Sequence, residues 1–372
     1  MKKLGFGLMR LPLTNAEDPK SIDLEKLKQM TDEFLAGGFT YFDTAYMYHD
    51  FQSEIAIRKA LVERYPRSAF TLTSKLPTMF LKKEEDMERI FCEQLEKCGV
   101  EYFDYYLLHN LGVSHYEIAE RLGGFAFLQK KKAEGRIKKL GFSYHDNAEL
   151  LDRILTEHPE TEVVQLQINY LDWDDQGIQS RKCYETARKH GKEIIVMEPV
   201  KGGTLARLPE QAEHLLKDYA PECSTASWAI RFAASLDGVL TVLSGMSNLE
   251  QLRDNMSYMK AFAPLKEDEK TVLQKAVSAI RNVISIPCTG CNYCTVGCPR
   301  HIRIPEYFAL YNAEKRAPSK GFSLQRAYYN NYTQNAGKAS DCIACGQCER
   351  QCPQHIEIIR HLKDVAAIFE SK

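Results

Sequence analysis

The sequence predicts an α/β chain, a (β/α)8 barrel joined to a small and mostly helical C-terminal domain. Three observations carry this. From the start to about residue 262, short apolar runs alternate with longer amphipathic ones, the pattern of a parallel sheet with crossover helices. There are eight such units in about 260 residues, the size and count of a TIM barrel. Beyond Pro287 the composition changes, and eight of the chain's 12 cysteines fall in two short runs. A doubly wound sheet is the structural alternative, but no G-x-G-x-x-G follows any strand, and Gly5-Phe-Gly7 is only a fragment of one.

The expected strands are Leu4–Met9, Thr40–Thr44, Phe70–Lys75, Phe103–His109, Lys139–Ser143, Val163–Asn169, Glu193–Glu198 and Val239–Ser244. Leu24, Leu27, Met30 and Phe34 recur at helical spacing after the start candidates Asp18-Pro19 and Ser21, and Met87, Ile90, Phe91 and Leu95 do so within Lys83–Lys97. Gly37-Gly38, Gly99, Gly135 and Gly191 stand where helices should close. A charged helix over Lys266–Ile284 leads out of the barrel, and Glu357–Phe369 reads as a closing amphipathic helix. The expected division is a barrel over 1–265, a linking helix over 266–286 and a third segment over 287–372.

That last segment carries its own chemistry. Cys288-Thr-Gly-Cys291-Asn-Tyr-Cys294-Thr-Val-Gly-Cys298-Pro299 recurs as Cys342-Ile-Ala-Cys345-Gly-Gln-Cys348-Glu-Arg-Gln-Cys352-Pro353. Two copies of C-x2-C-x2-C-x3-C-P are the spacing of a pair of [4Fe–4S] clusters, three thiolates to one cube and the fourth crossing to the other. The spacing is too crowded for a usual zinc knuckle. Some forty residues separate the runs, including Ile304–Tyr311 and Gly321–Tyr332. This resembles the α-helical ferredoxin domains rather than the compact bacterial ones. Charges nearly cancel to a formal −1, so neither a nucleic-acid stripe nor an anionic-membrane patch is expected. With no apolar leader, no membrane-length run and thiolates that need reducing conditions, the expected compartment is the cytoplasm.

Catalytic groups of such barrels stand at the C-terminal strand ends. Three consecutive strands end in an ionisable residue: Asp43, Lys75 and His109, with Tyr48 five residues beyond Asp43. Singly, each has an ordinary reading as a turn cap, a solvated strand end or a core histidine. Together they form a proton donor. A phenol titrates near ~10, and an ammonium beside it is expected to lower that value, while Asp43 keeps Lys75 charged. His109 can orient a carbonyl oxygen that Tyr48 protonates.

Phe42-Asp43-Thr44-Ala45-Tyr46-Met47-Tyr48, Ser74-Lys75-Leu76 and Leu107-Leu108-His109 resemble the signature segments of the aldo-keto reductase superfamily. The architecture resembles the subgroup with a C-terminal dicluster ferredoxin-like domain. The resemblance implies a hydride transfer between NAD(P)H and an aldehyde or ketone, with Asp43, Tyr48, Lys75 and His109 as the catalytic tetrad. It also implies that Ser143 and Gln165 hold the carboxamide and Asn255 the adenine. Met197 and Gly203 would fall at the nicotinamide and pyrophosphate, and Ser244, Gly245, Asn248 and Gln251 along the adenosine loop. The chain departs from the family pattern in four places. Tyr144-His145 follows Ser143, Met197 replaces a stacking aromatic, His49 stands where Gly is usual, and the adenosine loop lacks the Lys and Arg that hold a 2′-phosphate. The last favours NADH over NADPH.

The partners expected are a small carbonyl or alcohol and, for the clusters, a redox protein. A rival reading makes the clusters the working path, coupled through a flavin or a partner protein, with the barrel a docking module. The missing aromatic leaves room for a flavin, although no flavin signature is present. Trp173, Tyr170, Tyr46 and the loop Asn110–Phe125 are candidates for the substrate pocket. Cys98 reads as core, and Cys92, Cys183 and Cys223 as structural. Lys130–Lys132 reads as a solvated face, and His301 and His355 as surface or supporting residues.

Overall fold

The computed structural model describes residues 2–175, 178–281, 285–316 and 324–371. Eight parallel strands close into a barrel in chain order: β1 (Leu4–Gly7), β2 (Tyr41–Asp43), β3 (Thr71–Pro77), β4 (Phe103–Leu111), β5 (Ile137–Tyr144), β6 (Val163–Gln167), β7 (Glu193–Met197) and β8 (Val239–Gly245). All eight expected strands are present. The chain divides into two compact units, one of residues 1–200 and 226–266, the other of 201–225 and 267–372. The connection that leaves β7 thus belongs with the cysteine-bearing residues.

Strand periodicity sorts the barrel's side chains. Phe6, Phe42, Leu72 and Val164 point outward and join Phe34, Leu27 and Met30 of the helix Leu24–Ala36 in the main core. Tyr41, Tyr105, Leu107, Val163, Ile195 and Leu243 point inward and form a separate buried cluster. Space inside is tight: a Cβ on Gly141 would lie 1.9 Å from the Val163 carbonyl oxygen. Two residues further along each strand, the same inward parity reaches Asp43, His109, Gln165, Met197 and Gly245. The mouth of the barrel is therefore set by counting in twos from its floor.

The helix Leu24–Ala36 starts on Asp23, whose carboxylate accepts from the Lys26 N–H at 3.0 Å, rather than at the earlier candidates. At its other end Gly38 takes the left-handed turn (φ 79°) while Gly37 stays helical (φ −69°). Lys131 departs from a solvated face: it is 5% exposed and bonded to Glu88 and Glu134, its ammonium lying over the Phe91 and Phe127 rings. Asn110–Phe125 is not a loop but mostly the helix Val113–Arg121.

In the second unit, the helix Glu210–Tyr219 packs on Glu267–Arg281. The helices Ile304–Arg316, Leu324–Tyr332 and Ile358–Phe369 surround a core that includes Tyr307, Tyr329, Leu362 and Val365. Residues 282–284 of the expected linking helix, and 321–323 of the Tyr-rich stretch, lie outside the described residues. No helix among the described residues is long and apolar enough to cross a membrane.

Candidate active site

Lys75 is the hub of the barrel mouth. It is 1% exposed, and its three N–H donors have three acceptors: Asp43 Oδ1 at 2.5 Å, the Thr44 carbonyl at 2.8 Å and the Tyr48 hydroxyl at 3.4 Å. The His109 ring stands edge-on to the Tyr48 ring with centroids 6.0 Å apart. All four expected residues thus meet. Burial pushes the Asp43 carboxyl up and the Lys75 ammonium down, and each opposes the other's shift. Burial also holds His109 well below the usual imidazole range, with the Lys75 charge adding to it, so the ring is neutral and keeps one N–H to donate. Tyr48 corrects one expectation: its phenol is held well above the ordinary value. Burial is the main cause, with the Asp43 and Glu198 carboxylates adding and Arg10 opposing.

The chain after Tyr48 is held in place by a residue that differs from the family pattern. His49 accepts from the Leu11 N–H at 3.0 Å through Nε2, and its Nδ1 lies 2.9 Å from the Pro19 carbonyl, which fixes the Nδ1–H tautomer. His49, Asp50 and Phe51 all have positive φ. Strand β4 continues past His109 through a bulge at Asn110 (φ 62°), where pairing with β5 shifts register. The Ser143 hydroxyl accepts the Asn110 N–H at 2.8 Å, so it supports the bulge that aims His109. Gln165, paired with Ser143 across β5 and β6, is 2% exposed and its Oε1 has no hydrogen-bond partner. A buried amide oxygen left open two strands from His109 would fit an incoming carboxamide N–H.

Behind the site lies a carboxylate that the sequence reading missed. Glu54 Oε1 accepts from Ser74 Oγ at 2.6 Å and Gln94 Nε2 at 2.7 Å, and Gln94 also bonds the Lys75 carbonyl at 3.0 Å. Its Oε2 is buried without a partner. Burial pushes the group from 4.5 up to about 7, against the pull of those two bonds. Because the folded value is raised, this group's stability contribution is whole below ~pH 4.5 and is lost as pH rises through about 7. The loss is on the order of 3 kcal/mol. Urea unfolding from pH 4.5 to 8 should show that slope in the native chain and not in Glu54→Gln; parallel curves refute it.

At the ends of β7, β8 and β1, Glu198 (φ 55°) carries an ion pair to Arg10 at 3.3 Å beside Met197. Gly245 packs against the Arg10 stem. Asn255 is 4% exposed, donates to Ser244 Oγ at 2.8 Å and accepts from the Tyr258 hydroxyl at 2.6 Å. Asn248 caps its helix by accepting the Gln251 N–H, and Gln251 accepts from the Ser247 N–H, both at 2.8 Å. The nearby cation Arg253 is held by two 2.7 Å bonds to Glu33. Gly203 (φ 99°) belongs to the other compact unit. Tyr170 and Trp173 both stack edge-on against Phe232, and Tyr46 bonds Glu93.

The cysteines line two cavities. Cys288, Cys291 and Cys294 share one with Cys352, and Cys342, Cys345 and Cys348 share the other with Cys298. Ile304, Phe308, Ile356 and Ile358 also line the first, a space of about 290 Å³ that is partly open to solvent. Among the described residues no three His, Cys, Asp or Glu side chains converge on a single-ion site. The thiols surround a wider space instead. Burial pushes Cys288 and Cys348 each up to about 11. Holding each as a thiolate calls for a positive centre in its own cavity, which cluster iron would supply. The repeat runs beyond the cysteines, as C-P-x-H-I-x-I after both. His301 (φ 51°) and His355 (φ 49°) each return their N–H at 3.0 Å to the carbonyl of the preceding cysteine, Cys298 and Cys352. That signal was present in the sequence and gives the two histidines a backbone role.

Comparison with known proteins agrees with both halves. Residues 287–357 match the 4Fe-4S dicluster domain. A probable aldo-keto reductase 1 of Glycine max is 30% identical over 181 residues, 46% of this chain and 49% of the relative, so the match spans about half of that relative's length. The NADH-specific methylglyoxal reductase of Escherichia coli K12 is 21% identical over 65% of this chain and 85% of its own. Among solved structures, the holo form of an aldo-keto reductase from Bacillus halodurans superposes with a TM-score of 0.57 at 23% identity, covering 74% of this chain and 91% of that one. An aldo/keto reductase from Klebsiella pneumoniae in complex with NADP and acetate gives 0.57 at 19%, covering 73% and 90%. These two share the fold. Residues 3–277 match the aldo/keto reductase family, and with a closed eight-stranded barrel carrying Asp43, Lys75 and His109 toward the C-terminal ends of its strands, the chain belongs to that family.

Proposed function

We propose that the barrel mouth moves hydride between NAD(P)H and a small aldehyde or ketone, and that the cysteine cavities hold two [4Fe–4S] clusters. The observation that supports this most directly is Lys75 bonded at once to Asp43 and to the Tyr48 hydroxyl, with neutral His109 alongside. When bound, the nicotinamide supplies a hydride and the clusters exchange single electrons. The residues do the rest. His109 donates its N–H to the carbonyl oxygen and fixes its position. Tyr48 gives its proton to that oxygen as charge grows there. The Lys75 N–H aimed at the phenol oxygen stabilises the negative charge left on Tyr48, and Asp43 keeps the ammonium in place. A phenol held up by burial keeps its proton until a strongly basic oxygen is presented.

Gln165 and Ser143 would orient the carboxamide. NADH is the preferred dinucleotide, because Arg253 is committed to Glu33 and the uncharged Asn248 and Gln251 side chains bond the helix start. The test is anaerobic turnover with dinucleotide deuterated at the transferable position and an aldehyde series. Deuterium should arrive at the carbonyl carbon, with NADH at least ~10-fold favoured over NADPH in kcat/KM, a difference of about 1.4 kcal/mol. Deuterium lost to solvent, or reduction only with a flavin added, refutes direct transfer, and tighter NADPH binding refutes the dinucleotide preference.

A further inference from the structure

The segment that leaves β7 opens with three residues at positive φ, Lys201 (47°), Gly202 (63°) and Gly203 (99°). A lysine is strained there and stays only where its surroundings hold it. A Cβ on Gly202 would lie 2.0 Å from the Thr289 carbonyl oxygen, so this backbone rests directly against the residue after Cys288. The Lys201 side chain is 1% exposed, and its ammonium donates to Gln354 Oε1 at 3.1 Å. Thr289 and Gln354 both line the cavity of Cys288, Cys291, Cys294 and Cys352. Glu306, an acidic residue close enough to act on Cys288, has a side chain that is 33% exposed and paired with Arg303.

Burying an ammonium is unfavourable by several kcal/mol unless negative charge meets it. Thiolates and a cluster held in that cavity would place negative charge beside it. A cluster gains one negative charge on reduction, so a desolvated cation beside it favours the reduced form and raises its potential. The other cavity has its lining cation, Arg300, in solvent, where water and salt screen it. We propose that Lys201 is a positioning and tuning residue that sets the reduction potential of the cluster held by Cys288, Cys291, Cys294 and Cys352 above that of its neighbour. This rests on the cluster reading above. An electron entering this unit then comes to rest at the cluster whose tuning lysine follows β7 by four residues in the chain.

The test is an anaerobic redox titration of the full chain followed by electron paramagnetic resonance, with iron and sulfide counted first. About eight irons per chain establish the clusters; far fewer in the native protein would sink the cluster reading itself, and this inference with it. In Lys201→Gln the higher of two potentials should fall by at least ten-fold in the reduced-to-oxidised ratio, about 59 mV for one electron, and the lower should stay. Lys201→Arg should keep both. Gln354→Glu, which offsets the charge without removing the lysine, should move the same potential the same way and serves if Lys201→Gln loads poorly. Unchanged potentials, equal shifts in both, or a Lys201→Arg shift as large as that of Lys201→Gln would overturn the proposal.

Discussion

Replacing Tyr48 with Phe should lower carbonyl reduction roughly 100- to 10,000-fold, the range a positioned general acid contributes. Dinucleotide affinity should hold within about two-fold, since a uniform-binding contact is not what is removed. The geometry makes this a clean substitution. The hydroxyl's bond to Lys75 is long at 3.4 Å, and the ammonium keeps Asp43 at 2.5 Å and the Thr44 carbonyl at 2.8 Å without it. The ring keeps its edge-on packing against His109. Stability should therefore change by no more than about 1 kcal/mol. Lys75→Met would be a poorer experiment. It leaves Asp43, whose Oδ2 already lacks a partner, as an unpaired buried carboxylate, a change worth about 3–5 kcal/mol. A fall in rate could then be a fall in folded protein. Single-turnover rates with the deuterated dinucleotide, beside its binding constant, check the Tyr48 result. Near-normal turnover would mean that the proton comes from elsewhere.

What could be read from the sequence follows from which interactions are local. Barrel strands alternate in and out, so Phe42 and Asp43 or Leu107 and His109 announce their faces by spacing alone. Asp43, Lys75 and His109 were legible near strand ends, with Tyr48 in the loop after Asp43, and their reading as a tetrad came from the family resemblance. The cysteine runs were equally legible, since three of each four ligands lie within seven residues of each other. The fourth ligand came from a general rule of such runs, and the two cavities agree with it. Less was legible where a residue's role depends on a distant partner. Glu54 lies six residues past Tyr48, outside any motif, and only folding brings it to Ser74 and Gln94. The bulge at Asn110 depends on the Ser143 hydroxyl, and the Arg10–Glu198 pair joins opposite ends of the barrel sequence. The direction of the Tyr48 shift was misread for a related reason. Neighbouring charge is visible in a motif, whereas desolvation is a property of the whole mouth, and here desolvation dominates.

Cys298→Ser should remove the cluster held mainly by the other run. Cys298 follows Cys294 in sequence, yet it lines the cavity of Cys342, Cys345 and Cys348, while Cys352 lines that of Cys288, Cys291 and Cys294. A serine oxygen is a harder and weaker ligand for iron than a thiolate. Iron should fall from about eight to about four per chain in Cys298→Ser and equally in Cys352→Ser, if each cube is lost as a unit. The two variants must then differ in what remains. Cys298→Ser should retain the resonance signal whose potential responds to Lys201, because Lys201 bonds Gln354 beside the Cys288 cavity. Cys352→Ser should retain only the signal that does not. Each run ligating its own cluster would give the reverse pairing. The paired variants therefore decide ligation by the identity of the surviving cluster, which an iron count alone does not reveal.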